Sequence, residues 1–295
     1  MKNLKLLIAA IGLLSITACQ KSDDDLNNTS TQTPQLHALG ANFVDQNTYD
    51  SFQKVDVNEL TLKYKGKDET TAKAALPTAY SIPTTAPIKN QGAEGSCVAW
   101  STAYAATSAL EFNYKGVISP RSPEYVFNQI KSNPNDCSQG SLIPDALNLI
   151  QNQGVCSWDE MPYTDTGCST QPNPTQQNAA STHKFTNWAI VDKTNLGNVK
   201  TLLSMNLPII IAVNVDASFD NLSAANGWVW KSHSGAVRGG HAICVIGYDD
   251  AKQAFKVQNS WGTGWGQNGY FWISYSFFTR NFNGAVRESY VAYVQ

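Results

Sequence analysis

The sequence predicts an α+β fold, because helical patterns dominate its first half and β-type runs its second. Three observations carry this. The stretch from Cys97 to Leu110 (CVAWSTAYAATSAL) is Ala-rich with apolar residues at helical spacing. After Trp188 come short apolar runs rich in β-branched residues, separated by Asp-Asp and Gly-rich turns. The length of 295 residues accommodates a unit of about 220 residues behind an N-terminal extension.

Taken in order, the chain opens with Lys2 and Lys5 and an apolar run from Leu4 to Ala18, too short to span a membrane. The run ends at Ile16-Thr17-Ala18-Cys19, which resembles the lipobox of bacterial lipoproteins. That resemblance makes 1–18 a lipoprotein signal peptide and Cys19 the lipid-carrying first residue. The plainer alternative is an ordinary cleaved signal peptide with a chance Cys. Gln20 to Asp25 (QKSDDD) resembles the acidic tract that sends some Gram-negative lipoproteins to the outer face of the outer membrane. The expected location is therefore the cell envelope, lipid-anchored to the outer membrane and exposed at the surface.

From Gln20 to about Ala75 the sequence is polar and weakly patterned, and 20–36 reads as a tether. Val55 to Tyr64 (VDVNELTLKY) alternates apolar and polar residues and predicts a short strand. Ser122 is placed to cap a helix with Pro123 at its first position. Ser141 to Gln153 predicts a further helix, stopped by Gly154. Pro208 to Val215, His241 to Tyr248, Ala254 to Asn259 and Tyr270 to Tyr275 read as strands.

A net charge of −2 argues against nucleic acid and offers no basic patch for anionic lipid. Besides Cys19 there are Cys97, Cys137, Cys156, Cys168 and Cys244; an odd number in an exported chain implies a free thiol beside paired ones. Cys156 and Cys168 bracket a Pro-containing loop and are the expected bridge. Cys244 reads as a buried thiol, and Cys137 has no evident partner. No metal-ligand spacing is present and no cofactor is implied.

The chemistry concentrates in three stretches. In Pro87 to Ser101 (PIKNQGAEGSCVAWS), Gly92 and Gly95 mark a tight turn that delivers Cys97 to the first turn of a helix. Unpaired N–H groups and the macrodipole there favour a thiolate. Gln91 lies six residues upstream, placed for its amide to fold back. Alone, Cys97 reads as a small buried hydrophobe. The second stretch is Gly239 to Tyr248, with Gly-His-Ala at His241; the third is Asn259-Ser260-Trp261-Gly262-Thr263-Gly264-Trp265-Gly266. His241 lies 144 residues past Cys97, within the ~130–150 separation of a papain-type site.

In the order Gln91, Cys97, His241, Asn259, and in their flanks, the chain resembles a papain-family cysteine peptidase. The resemblance implies a two-lobed papain-like domain over 76–295, with a helical left lobe (about 95–185) and a β-barrel-like right lobe (about 186–290) facing each other across a cleft. It leaves 19–75 as a tether or reduced pro-segment; the longer helical pro-segment of papain-like zymogens, which lies through the cleft, has no pattern here. It implies that Cys97 attacks the scissile carbonyl and that His241 forms an ion pair with it and protonates the leaving amine. Asn259 orients His241, Trp261 covers that bond, and Gln91 with the Cys97 N–H forms the oxyanion hole. By the same resemblance Gly140 pairs with an extended substrate, so Gly140 and Trp261 are the substrate-binding candidates. Two departures stand out: Glu94 replaces a Cys found in many relatives, and Val98 replaces a Trp. His183 and His233 have no matching role and read as solvated.

The implied function is hydrolysis of peptide bonds through an acyl-thioester on Cys97, active from mildly acidic to neutral pH. Polypeptides are the expected partners, together with the membrane through Cys19, and a monomer is expected. Endopeptidase action is the default because nothing visible in the sequence blocks the cleft, with the 216–238 loop the place to look for an obstruction. The alternatives are a non-catalytic surface binding lipoprotein of the same fold and an acyl or isopeptide transferase.

Overall fold

A computed structural model describes residues 36–66 and 75–294. Cys19 and the signal and acidic stretches lie outside the described residues. Contacts group the described chain from Leu36 onward into one unit.

The first described residues form β1 (Ala41–Asn42), α1 (Gln46–Ser51) and α2 (Val57–Lys65). The predicted strand at 55–64 is thus a helix. Asp56 accepts from the N–H groups of Asn58 and Glu59, an N-cap that overrides the alternating pattern. Val57, Leu60 and Thr61 are buried, the i, i+3, i+4 spacing of one helix face.

After β2 (Ala79–Ser81) the turn at Gly92 (φ +63°) leads into α3 (Cys97–Ala99), which continues as a π-helical stretch Trp100–Thr107 and then α4 (Ser108–Tyr114). Ala103, Ala105 and Ala106 let this helix run buried through the centre of the molecule. Around it pack α5 (Pro123–Ile130) and α6 (Ile143–Asn152). Ser122 caps α5 as expected, accepting from Tyr125 N–H at 3.1 Å. The helix expected from Ser141 starts two residues later, because β3 (Ser141–Leu142) pairs in parallel with β1.

The second half forms one sheet from β4 (Asn187–Ile190), β5 (Ile209–Asp216), β6 (Val229–Trp230), β7 (Val237–Asp249), β8 (Ala254–Gln258), β9 (Tyr270–Ser274) and β10 (Val286–Tyr293). Its order is β4-β10-β5-β7-β8-β9-β6, with β2 also on β7. Among the described residues β4 and β6 do not pair, so the sheet is open and the expected barrel-like closure is not seen. The central strand β7 is buried along most of its length and carries His241. The helix bearing Cys97 packs against it.

The expected Cys156–Cys168 bridge is corrected. Cys168 bonds Cys137, with Cα atoms 5.7 Å apart, and Cys156 is a free buried thiol beside Cys97 and Cys244. Loop bracketing misled here, because the Cys156 carbonyl is tied to Ser122 N–H at the start of α5 while Cys168 faces the 137 loop. The two histidines read as solvated are bonded instead: His183 to Glu111 at 3.0 Å and His233 to Asp216 at 3.0 Å.

Candidate active site

The turn before α3 is pinned at every polar point of Gln91. Its N–H donates to Ser260 O (2.8 Å), its Oε1 accepts from Ser260 Oγ (2.6 Å), and its C=O accepts from Tyr163 Oη (2.7 Å). One amide hydrogen is taken by Glu94 O (3.0 Å). The remaining donor points at Leu39 O (3.2 Å). Gln91 is fully buried, so this side chain has one fixed direction in which to offer a hydrogen bond. That is the geometry of a preorganised oxyanion donor.

Cys97 is the first residue of α3 and fully buried. Its Sγ accepts from Ala242 N–H at 3.3 Å, the residue next to His241 on β7. His241 Nε2 bonds Asn259 Oδ1 at 2.8 Å. Because Asn259 Oδ1 also accepts from Ser260 N–H (2.8 Å), it is the acceptor and Nε2 carries the proton. His241 Nδ1 is left with its lone pair, buried and without a hydrogen bond. Trp261 stacks on His241 (centroids 4.8 Å, 27°) and Phe219 meets the ring edge-on at 6.1 Å. The four expected residues therefore converge. The direct thiol–imidazole hydrogen bond implied by the resemblance is not made, since the sulfur rests on the neighbouring backbone N–H.

What fills the space is the N-terminal segment. His37 stacks on Trp261 (4.6 Å, 12°), and its carbonyl accepts from Arg238 Nη2 (2.6 Å). Ala38 O accepts from Trp261 Nε1 (3.1 Å), and Leu39 O takes the Gln91 amide. Gly40 N–H donates to Gly240 O (3.2 Å), and Gly40 O accepts from Ser141 N–H (2.9 Å). Beyond it Ala41–Asn42 run parallel to Ser141–Leu142, and Val44 N–H donates to Glu288 (2.6 Å). The passage is built from glycines. A Cβ on Gly140 would sit 2.0 Å from Gly40 O, one on Gly240 2.0 Å from Ala41 O, and one on Gly40 itself 2.0 Å from Gly95 O. Gly140 thus lies against the backbone of this chain's own N-terminal segment. The sequence reading that nothing blocks the cleft is corrected: residues 37–44 do, and the 216–238 loop instead contributes Phe219 to the aromatic floor.

Burial sets the electrostatics. With the cleft filled, desolvation pushes the Cys97 thiol up to about 12, against the small opposing effect of the Ala242 N–H. Desolvation likewise drives His241 down to about 4, opposed by its bond to Asn259. The pair is neutral in this state. The expected thiolate–imidazolium pair needs water, or a substrate's dipoles, that the segment excludes.

Residues the sequence reading missed are Tyr163 and Ser260, which hold Gln91, Phe219 on His241, and Leu39 and Gly40 in the cleft. Ser260 lay inside a quoted motif, adjacent to Asn259. The others carry no local signal, because contacts far apart in the chain give them their place.

The family described as "Papain family cysteine protease" matches residues 78–290. Among curated proteins, "Gamete and mating-type specific protein A" of Dictyostelium discoideum is 31% identical over 197 residues, covering 64% of this chain and 40% of that protein. "Cysteine proteinase 2" of Entamoeba histolytica is 29% identical over 193 residues, covering 62% of this chain and 58% of that protein. The chain thus spans less than two thirds of the length of these relatives. Among solved structures, xylellain, a cysteine protease from Xylella fastidiosa, superposes with a TM-score of 0.70 at 22% identity, covering 88% of this chain and 96% of that one. At that identity the likeness shows the fold.

Proposed function

This chain belongs to the papain family of cysteine proteases, and from that premise we propose that it is a two-lobed cysteine peptidase whose own N-terminal segment lies in the cleft between a helical and a β-rich lobe. The observation that carries the reading is the His241–Asn259 bond, which leaves Nδ1 bare beside the strand residue that touches Cys97 Sγ. Once the segment is displaced, His241 takes the Cys97 proton through Nδ1. The thiolate attacks the carbonyl carbon of an extended polypeptide, and the oxyanion accepts from Gln91 and the Cys97 N–H. His241 returns the proton to the leaving amine, and water then cleaves the thioester by the same route in reverse.

The segment turns the substrate cradle against itself: Leu39 O occupies the Gln91 donor, and Gly40 occupies the backbone seat beside Gly140 and Gly240. This supports reading residues 37–66 as a short pro-segment, docked by α1 and α2. The signal-like stretch ending at Cys19 supports a lipid-anchored enzyme outside the cytoplasm, held to the outer membrane and acting on polypeptides at the surface. Radiolabelled palmitate incorporation, lost in Cys19→Ser, tests the anchor.

A peptide library offered to the full chain carrying Gly40→Val, which unseats the segment, and to the same chain with Cys97→Ala tests the chemistry. The first cleaves peptide bonds, and the second cleaves nothing. The filled cleft favours one competing reading, a binding protein that never turns over. A chain whose Cys97 stays inert to iodoacetamide after the segment is displaced would decide for that reading.

A further inference from the structure

The N-terminal segment shows where the cleft can grip an extended backbone. Leu39 O takes the Gln91 donor, so it stands where a scissile carbonyl would. From that point the segment runs in two directions. Residues 40–42 pass along Gly140 and the strand Ser141–Leu142. Residues 38 and 37 cross Trp261: Ala38 O accepts from its indole N–H, and the His37 ring stacks on its face. Trp261 in turn stacks on His241, which returns its proton to the leaving amine. The arm over Trp261 therefore marks the side of the cleft that receives the leaving half of a substrate.

Arg238 stands on that side. It is the second residue of β7, three positions before His241. Its Nη2 donates to His37 O at 2.6 Å, and its Nη1 donates to Asp220. Its Cζ lies 5.9 Å from the Trp261 ring centroid. Asp220 ends the short helix Ala217–Asp220, whose N–H groups at Ser218 and Phe219 are capped by Asp216. Phe219 in that helix is fully buried against His241 and Trp261. The partner that orients the guanidinium is thus itself fixed. We infer that Arg238 is a substrate-binding residue: with the segment displaced, its Nη2 holds a main-chain carbonyl of the leaving half, within the first two residues past the scissile bond.

The physical reason lies in the guanidinium, which presents its donors in a rigid planar fork. With Nη1 held by Asp220, Nη2 keeps the direction it takes toward His37 O. Both side chains are largely buried, Arg238 at 12% exposure and Asp220 at 19%. Removing the segment therefore leaves a charged donor facing the cleft, and a carbonyl that replaces His37 O makes a charge-assisted bond. A main-chain carbonyl suits this donor better than a terminal carboxylate. Asp220 already neutralises the guanidinium, and a second carboxylate would meet the like charge of the first. The cleft is thereby suited to cutting inside a chain that continues past the bond, not to trimming its end.

This inference rests on the peptidase reading, and its test has one arm that does not. Full-length chain carrying Gly40→Val is offered peptides that share one acyl half and carry amide-ended leaving halves of one, two or three residues. A hydrogen bond from a charged donor is worth roughly 10–100-fold, so kcat/KM rises about tenfold between one residue and three. Arg238→Ala cuts that gain to under about twofold. A merely structural lesion lowers every member of the series alike and keeps the gain. On the two-residue half, a free acid in place of the amide brings no increase. Asp220→Asn removes the competing charge, and there the free acid overtakes the amide. In a Gly40→Val, Cys97→Ala chain, where no bond is cut, fluorescence anisotropy reads binding of the three-residue peptide. Adding Arg238→Ala weakens it about tenfold. A length gain that survives Arg238→Ala, equal binding with and without Arg238, or a preference for the free acid while Asp220 is present overturns the assignment. Binding that depends on Arg238 in a chain that never turns over supports the grip and counts against the peptidase reading alone.

Discussion

Two stretches meet at Gln91 and Gly95, and they are held in different ways. The turn from Gln91 to Cys97 is fixed through side chains of particular chemistry: an amide with each polar atom engaged, the Tyr163 hydroxyl, and the Ser260 hydroxyl. The segment from His37 to Val44 is held mainly through its backbone, by the carbonyls of His37, Ala38, Leu39 and Gly40 and the N–H groups of Gly40 and Val44. A side chain that does chemistry must be one residue type, whereas a backbone group can be supplied by nearly any residue that fits. The difference explains how a passenger can occupy a site without sharing its motifs. Its one strict requirement is steric, at Gly40, where φ is +136° and no Cβ can enter.

The contrast can be broken from either side, beginning with the turn. Gln91→Ala removes the aimed donor and should lower kcat by roughly 10²–10³ while leaving Cys97 alkylation intact. Steady-state kinetics on a peptide substrate, run beside iodoacetamide labelling, checks both halves. Equal turnover in parent and variant would remove Gln91 from the oxyanion hole.

From the other side, Gly40→Val forces a Cβ against Gly95 O and should unseat the segment. Overpacking typically costs about 1–3 kcal/mol, which predicts a roughly 5–150-fold gain in turnover. Iodoacetamide labelling also reads the electrostatics. In the parent the thiol is pushed up to about 12, so labelling rises steadily with pH. With the cleft rehydrated, the thiolate–imidazolium pair reforms and labelling flattens over mildly acidic to neutral pH. Identical profiles would mean that the segment does not set the ionisation of the pair.

The smallest effect tests the anchorage behind the segment. Asp56→Ala removes the cap of α2 and should cost about 1 kcal/mol. Amide exchange over 57–65 should quicken, with turnover rising a few-fold. An unchanged exchange rate would mean that tertiary contacts such as Tyr64 Oη to Val294 O, and not the cap, hold this helix.

By itself the sequence determined which four candidate residues to follow, since Gln91, Cys97, His241 and Asn259 sit in flanks whose turns and strands follow from local pattern. It also determined the order of a helical half before a β-rich half, because apolar period is local information. Only the tertiary structure decided which cysteine Cys168 meets, since pairing depends on which loops come together and not on which lie adjacent. At α2 the local cap at Asp56 outweighs an alternating pattern. Tertiary structure alone also decided the places of Tyr163 and Phe219 and the passage of Leu39 and Gly40 against Gln91 and Gly95. Those contacts join residues dozens to hundreds of positions apart, where neither composition nor period leaves a trace.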